Sequence, residues 1–287
     1  MNVRLIAVDL DGTLLGREPG VIPPENAAAL REASRRGIAL AFCTGRLPDD
    51  ASFFALDAKL PAHILSLNGA CRLSGPLGSV VRSEVIAPQA GLAIRRAMDE
   101  LTLTYGLIRD HELVLSTPSI SERELAIVWG SHLRRHGGRS VVRLGCEGAD
   151  ALLRRGANKI VAISEKNPAP LLALRERLLR EVPGVEISSS WSNNIEIGPA
   201  GVNKGTALAA LARTLAIPMA EVLAVGDNDN DVSMLSAAGV GVAMGNATPA
   251  ARAAADYVTA SNTEGGVALA IRALAFGESV KEVTHLG

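Results

Sequence analysis

Short apolar runs alternating with alanine- and leucine-rich amphipathic stretches constrain this chain more than any other feature. Residues 4 to 10 (RLIAVDL), 38 to 44 (IALAFCT) and 63 to 69 (HILSLNG) read as strands, with helices expected over 24 to 36 and 49 to 60. The rhythm returns with strands at 194 to 198 (NIEIG), 221 to 226 (EVLAVG) and 239 to 244 (GVGVAM) and helices at 203 to 216 and 231 to 238. A further helix, strand and helix close the chain. Strands apolar along their whole length are covered on both faces, and their alternation with helices implies a parallel sheet. The expected fold is α/β, a Rossmann-like doubly wound sheet, and such sheets bind ligands beyond the carboxyl ends of their strands.

The segment from about 84 to 190 breaks the pattern. It has a hairpin signal (LTYGLIRD, then ELVLS), a helix ending in the basic SHLRRHGGR, and a further unit running ANKIVAIS, PAPLLALRERLLREV and VEISSS. This reads as an α+β module inserted into the α/β core, giving a core of residues 1–83 and 191–287 and a cap of 84–190. A length of 287 residues exceeds what one compact domain usually needs and suits that division. No internal repeat or low-complexity tract is evident.

Composition removes several classes of function. A net charge of -1 gives none of the broad positive field that binds nucleic-acid phosphates, so no nucleic-acid partner is expected. Charges interrupt every apolar run well before bilayer length, and the N-terminal MNVRLIAVDL is too short in its apolar part for a signal peptide. No membrane association is expected, and the compartment reads as cytoplasmic. Cys43, Cys71 and Cys146 are odd in number and lack paired metal spacing, so they read as reduced thiols. Oligomeric state is left open.

The strand ends carry the chemistry. In VDLDGTLL the first predicted strand finishes in Asp9 and Asp11, two apart and hence on one side of an extended chain, before Gly12 permits a sharp turn. Two carboxylates about 4 Å apart repel by on the order of 4 kcal/mol at an effective dielectric near 20, so something must compensate. A second acidic group, VGDNDNDVSML, closes another strand with Asp227, Asp229 and Asp231, and Asp231 reads equally well as an N-cap of the helix that follows. Two acidic strand ends in one sheet make a hard, oxygen-rich site of the kind that suits magnesium and leaves positions for a phosphate. CTGR at 43 to 46 adds a hydroxyl (Thr44), a flexible Gly45 and the cation of Arg46, a set suited to phosphate oxygens. Lys204 opens a helix, where the dipole disfavours a cation, so it reads either as the partner of an anion or as a solvated surface lysine.

Other features carry less. The glycines of GVGVAMG fail the dinucleotide fingerprint, because Met244 stands in place of the third glycine and no acidic residue follows at the required distance. His132 and His136 are four apart but lack the glutamate of a zinc helix, and Arg134, Arg135 and Arg139 read as a surface helix end.

Taken in order, DLDGTLL, CTGR, NKG and GDNDND resemble the four motifs of the haloacid dehalogenase superfamily of phosphotransferases, more closely its Cof-type phosphatases with a large α+β cap between the second and third motifs. LSLNGA at 65 to 70, IEIGPAGVNKGTAL at 195 to 208 and VAMGNATPAARAAADYVTASNTEGGVALAI at 242 to 271 are similar to the same group. The resemblance implies Asp9 as a nucleophile that becomes an aspartyl-phosphate and Asp11 as general acid and base. It implies Thr44 and Lys204 on the phosphoryl oxygens, with Lys204 also offsetting charge on Asp9. Gly45, Arg46, Asn68 and Asn230 would line the phosphate or substrate site. Magnesium would be held by Asp9, the backbone carbonyl of Asp11 and Asp227, with Asp231 supporting it directly or through water. The implied activity is hydrolysis of a small phosphorylated metabolite, a sugar phosphate; alternatives are a phosphomutase of the same superfamily or a non-enzymatic switch phosphorylated on aspartate. Cys43 and Asn203 depart from the residues the family more often carries there.

Overall fold

In the computed structural model of the chain, residues 2–18, 20–117, 140–164, 167–188 and 193–286 are described. They divide into two units, one of residues 1–81 with 203–287 and one of residues 82–202.

The first unit is built on a nine-stranded sheet. In chain order its strands are β1 (Leu5–Val8), β2 (Ala39–Cys43), β3 (Ala62–Ser66), β4 (Cys71–Leu73), β5 (Val80–Ser83), β12 (Val222–Gly226), β13 (Val240–Ala243), β14 (Tyr257–Val258) and β15 (Thr284–His285), where β6 to β11 belong to the other unit. The spatial order is β15-β14-β13-β12-β1-β2-β3-β4-β5. The six central strands, β14 to β3, run parallel, and β4 and β15 are antiparallel additions to them. Of the parallel strands, β1, β2, β3, β12 and β13 are buried on both faces, as their continuous apolar runs require, and β14 is half-buried. On one face Leu5, Ala7, Ala41, Leu65 and Val222 pack with Leu208, Leu211, Met234 and Leu235 of the helices Lys204–Thr214 and Val232–Ala237. The chain winds outward from β1 to β3 in one direction and from β12 to β14 in the other, so the order reverses between β1 and β12. Leu5 to Val8 lie in register with Val222 to Val225 there, which brings the carboxyl ends of both strands level.

The second unit holds a six-stranded sheet in the order β10-β11-β9-β6-β7-β8. Its strands are β6 (Thr104–Arg109), β7 (Glu112–Leu115), β8 (Val141–Arg143), β9 (Lys159–Ile163), β10 (Val185–Ser188) and β11 (Asn194–Pro199). All neighbours are antiparallel except β7 and β8. The helices Pro88–Glu100, Ala149–Arg154 and Ala169–Glu181 bury Ile94, Met98, Leu152, Leu174 and Leu178 against Tyr105, Leu107, Ile160 and Ile197. This is the inserted α+β module expected from sequence, with one difference. The run at 194 to 198 does not extend the parallel core; as β11 it pairs with β9 and β10, so the boundary falls at 202 and not at 190. In sequence this run reads with the strands of the parallel core, but Ile195 and Ile197 are buried in the core of the second unit. The glycines of GVGVAMG serve packing: a Cβ on Gly241 would lie 2.6 Å from the Leu235 carbonyl oxygen. His132, His136, Arg134, Arg135 and Arg139 lie outside the described residues. No helix among the described residues is long and apolar enough to cross a membrane.

Candidate active site

The carboxyl ends of β1, β12 and β2 bring the predicted residues together. The strand expected to run through residue 10 stops at Val8, because the chain turns sharply over Leu10–Leu14, closed by the Leu14 N–H on the Asp9 carbonyl and the Leu15 N–H on the Leu10 carbonyl. Gly12 makes the turn with φ +78°, and a Cβ there would sit 2.8 Å from Cγ of Asp227. Three asparagine amides that sequence reasoning did not single out hold this loop. Asn246 donates to the Gly12 carbonyl at 2.9 Å, Asn26 to that of Leu14 at 3.2 Å and Asn262 to that of Leu15 at 2.9 Å.

At the centre Lys204 Nζ donates to Asp9 Oδ1 and to Asp231 Oδ1, both at 2.6 Å, and all three side chains are buried. Lys204 is the first residue of its helix, whose start is fixed by Asn203: its side chain accepts from the Thr206 N–H, and Thr206 Oγ1 accepts from the Asn203 N–H. Burial alone would pull the Lys204 ammonium down, but Asp231 and Asp9 outweigh it and hold it above an ordinary lysine. The anion that justifies a cation at a helix N-terminus is therefore this pair of carboxylates. Gly205 is required beside it, because a Cβ would lie 2.6 Å from the Ser233 backbone carbon.

Asp231 does not cap its helix with its side chain. Its Oδ2 accepts the N–H groups of Asp227 (2.9 Å) and Asn228 (3.0 Å), tying down the turn after β12, while Oδ1 takes Lys204. Asp227 Oδ1 accepts the Thr13 hydroxyl at 2.6 Å. Asp229 points elsewhere, its carboxylate accepting from Thr248 Oγ1 at 2.8 Å on the surface. Asp9, Asp227 and Asp231 can each offer an oxygen within 4.8 Å of the others. Burial pushes Asp9 well above the usual carboxylate range; Lys204 opposes this, and Asp231, Asp227 and Asp11 add to it. Burial likewise raises Asp227 to about 6, against the Thr13 hydrogen bond. Such a set of hard oxygen donors, repelling one another when ionised, fits a divalent cation. Both Asp231 oxygens are already engaged, so Asp9 and Asp227 are the better placed of the three to meet one directly.

Asp11 separates from Asp9. Its carboxylate is 57% exposed and is held by Arg46, whose Nε donates to Oδ2 at 2.7 Å and whose Nη2 donates to Oδ1 at 2.6 Å. Arg46, expected at the phosphate, is thus turned onto carboxylates, its Nη1 pairing with Asp50. Thr44 is fully buried at the end of β2, where its hydroxyl oxygen accepts the Arg46 N–H at 3.1 Å. The loop after β3 is tied to the same place: the Leu67 N–H donates to the Arg46 carbonyl and the Asn68 N–H to the Thr44 carbonyl. Asn68 has φ +55°, and its Oδ1 accepts from Asn230 Nδ2 at 3.3 Å, which joins two further predicted residues across the site. Gly45 lies in the bend after β2. Burial pushes the Cys43 thiol up to about 12, so it sits beside the site as a small apolar side chain and not as a thiolate. All three cysteines are free.

The model for haloacid dehalogenase-like hydrolases matches residues 6–271. The chain belongs to that family. Over 95% of its length it is 30% identical to the 5-amino-6-(5-phospho-D-ribitylamino)uracil phosphatase YcsE of Bacillus subtilis, of which 96% is covered. It is 28% identical to the pyridoxal phosphate phosphatase YbhA of Escherichia coli, over 93% of this chain and 97% of that one. The solved structure of a haloacid dehalogenase-like hydrolase from B. subtilis is 29% identical and superposes with a TM-score of 0.80 over 95% of this chain and all of that one. With relatives named as phosphatases over 93% and 95% of its length, this hydrolase acts on phosphoric monoesters and is of the Cof type.

Proposed function

We propose that this hydrolase releases phosphate from a sugar or sugar-alcohol phosphate, with magnesium, through a phosphoryl group carried on Asp9. The observation that carries the reading is the division of labour at the strand ends: Asp9 is buried on Lys204, whereas Asp11, two residues on, is half exposed and held separately by Arg46. Two carboxylates in such different surroundings suit two roles, nucleophile and acid–base group.

Asp9 attacks phosphorus with one carboxylate oxygen while Lys204 on Oδ1 limits its charge. Lys204 and Thr44 receive the phosphoryl oxygens, and Asn230, steadied by Asn68, contacts or orients the group. Asp11, protonated on an oxygen lone pair that Arg46 leaves open, gives that proton to the departing alcohol oxygen and then takes one from the water that cleaves the phosphoaspartate. Asp9, Asp227 and the Asp11 backbone carbonyl would hold magnesium, with Asp231 behind them; the cation supplies neutralisation of phosphoryl oxygens. YcsE is named for a uracil that carries a phosphorylated ribityl chain, and that polyol phosphate is the support for the substrate class here.

Phosphate release from a broad panel of phosphorylated metabolites, with magnesium and with EDTA, tests the reading. Sugar or polyol phosphates should lead the panel, EDTA should abolish turnover and magnesium should restore it. Asp9→Asn should be folded and inactive, because an amide is a very poor nucleophile. Comparable turnover by that variant, or by metal-free protein, would remove the mechanism; an isomerised product without free phosphate would make the chain a mutase.

A further inference from the structure

We propose that Asp50 is a positioning residue for the acid–base carboxylate, acting on Asp11 through Arg46; this rests on the reading of Asp11 as the acid–base group. Asp50 is the third residue of the helix Pro48–Asp57, in the first turn, where the helix dipole favours an anion. It is only 4% exposed, so it acts through what it touches. Among the groups it touches is Arg46, four residues earlier, by a hydrogen bond from Nη1 to Oδ2.

That contact leaves the guanidinium little freedom. Nη1 is fixed by Asp50, and Phe54 of the same helix lies against the guanidinium, with its ring centroid 5.0 Å from Cζ. The remaining edge, Nε and Nη2, faces Asp11 as a rigid two-pronged donor, at 2.7 and 2.6 Å. A planar fork fixed in advance binds a carboxylate in one orientation and loses little freedom in doing so. Asp11 needs that help, because its side chain is 57% exposed and sits on a turn, not on a strand or helix. A proton donor must lie within hydrogen-bond reach of the departing oxygen, and small misplacements are costly. The helix thus sets the position of Asp11 through two charged contacts in series, Asp50 to Arg46 and Arg46 to Asp11.

The test uses single-turnover cleavage of two esters by the full-length protein with magnesium. Para-nitrophenyl phosphate has a leaving group that needs little protonation, whereas ribose 5-phosphate has an alkoxide that needs it. Asp11→Asn is the reference and should slow the sugar ester far more than the aryl ester; equal loss on both would overturn the acid–base reading and this inference with it. Asp50→Asn should slow the sugar ester by roughly tenfold and leave the aryl ester within about threefold. In an Arg46→Lys background, which lacks the fork, Asp50→Asn should cost nothing further, because the two residues act in series. With the Asp11→Asn asymmetry present, an equal loss on both esters in Asp50→Asn, or an additive loss with Arg46→Lys, would overturn the assignment of Asp50. Should Asp50→Asn fail to fold, Asp50→Glu, which keeps the charge and displaces it, must show the same asymmetry; its absence is equally fatal.

Discussion

Lys204 Nζ lies 2.6 Å from Asp9 Oδ1, although 195 positions separate the two residues in the chain. The contact spans the fold's switch point, joining the carboxyl end of β1 to the helix that leads into β12. The same ammonium reaches Asp231 at 2.6 Å, so one buried cation is shared by two buried carboxylates. Removing one partner of a buried ion pair leaves uncompensated charge and typically costs 3–5 kcal/mol.

Lys204→Met, which keeps the length of the side chain and drops the charge, should therefore lower the melting temperature and reduce kcat/KM by about 100-fold or more. Magnesium should stabilise the variant more than the wild type, because an added cation answers the charge that lysine no longer does. Melting curves with EDTA and with magnesium, beside steady-state kinetics, measure all three. A variant with wild-type stability in EDTA would mean that Lys204 does not neutralise this group.

Gly12 is the residue against which Asp227 rests. A Cβ there would meet Asp227 Cγ at 2.8 Å, and φ is +78°, where an L side chain is strained by about 1–2 kcal/mol. Gly12→Ala should fold and should need roughly tenfold or more magnesium for half-maximal activity, because Asp227 is displaced. Gly37→Ala controls for strain: φ is +82° with nothing within 4 Å, so it should lose stability alone and keep its magnesium requirement. Equal magnesium requirements in the two variants would detach Gly12 from the acidic site.

The parallel core and its acidic strand ends were legible because two local signals coincide. Full-length apolar runs mark strands covered on both faces, and a carboxylate straight after such a run must lie at the sheet's rim. Asp9, Asp11 and Asp227 follow from that logic, Thr44 from the polar CTGR after the second strand and Lys204 from a cation at a helix start; Asp9, Lys204 and Asp231 meet directly, whereas Asp11 turns to Arg46. Less legible was everything that depends on side-chain direction. Asp229 and Asp231 look alike in GDNDND, yet one faces Thr248 at the surface while the other binds two backbone amides and a lysine. Asp50 stands two residues after a proline in a helix start and reads as an ordinary first-turn acid; Arg46 is four residues before it, but the neighbouring Asp49 looks the same in sequence and the spacing does not say which acid the guanidinium meets. Asn246 and Asn262 reach the loop after β1 from far along the chain, and Asn26 from the helix that follows it. β11 shows the same limit at the level of strands: it reads as a strand of the parallel core and pairs instead with β9 and β10.

Asp227 is raised from an ordinary 3.8 to about 6, first by burial and then by Asp231, with the Thr13 hydroxyl acting against the shift. A carboxylate whose pKa is raised on folding binds its proton more tightly in the folded state than in the unfolded one. Its contribution to stability is therefore fully present below about pH 4 and is lost as pH rises through about 6. A shift of about two units corresponds to on the order of 3 kcal/mol. Asp227→Asn removes this titration and keeps an oxygen to accept from Thr13. In EDTA, the variant should thus gain on the wild type as pH rises from about 4 to about 6.5, by roughly 2–3 kcal/mol, and the gain should then level off. Magnesium should reverse the order at pH 7.5, because the wild type offers the cation an anion and the variant offers an amide. Urea denaturation of both proteins across that pH range, with and without magnesium, gives the comparison. A stability difference that stays flat with pH in EDTA would mean that Asp227 is not held above its ordinary acidity, and that the metal-free site carries its charge without cost.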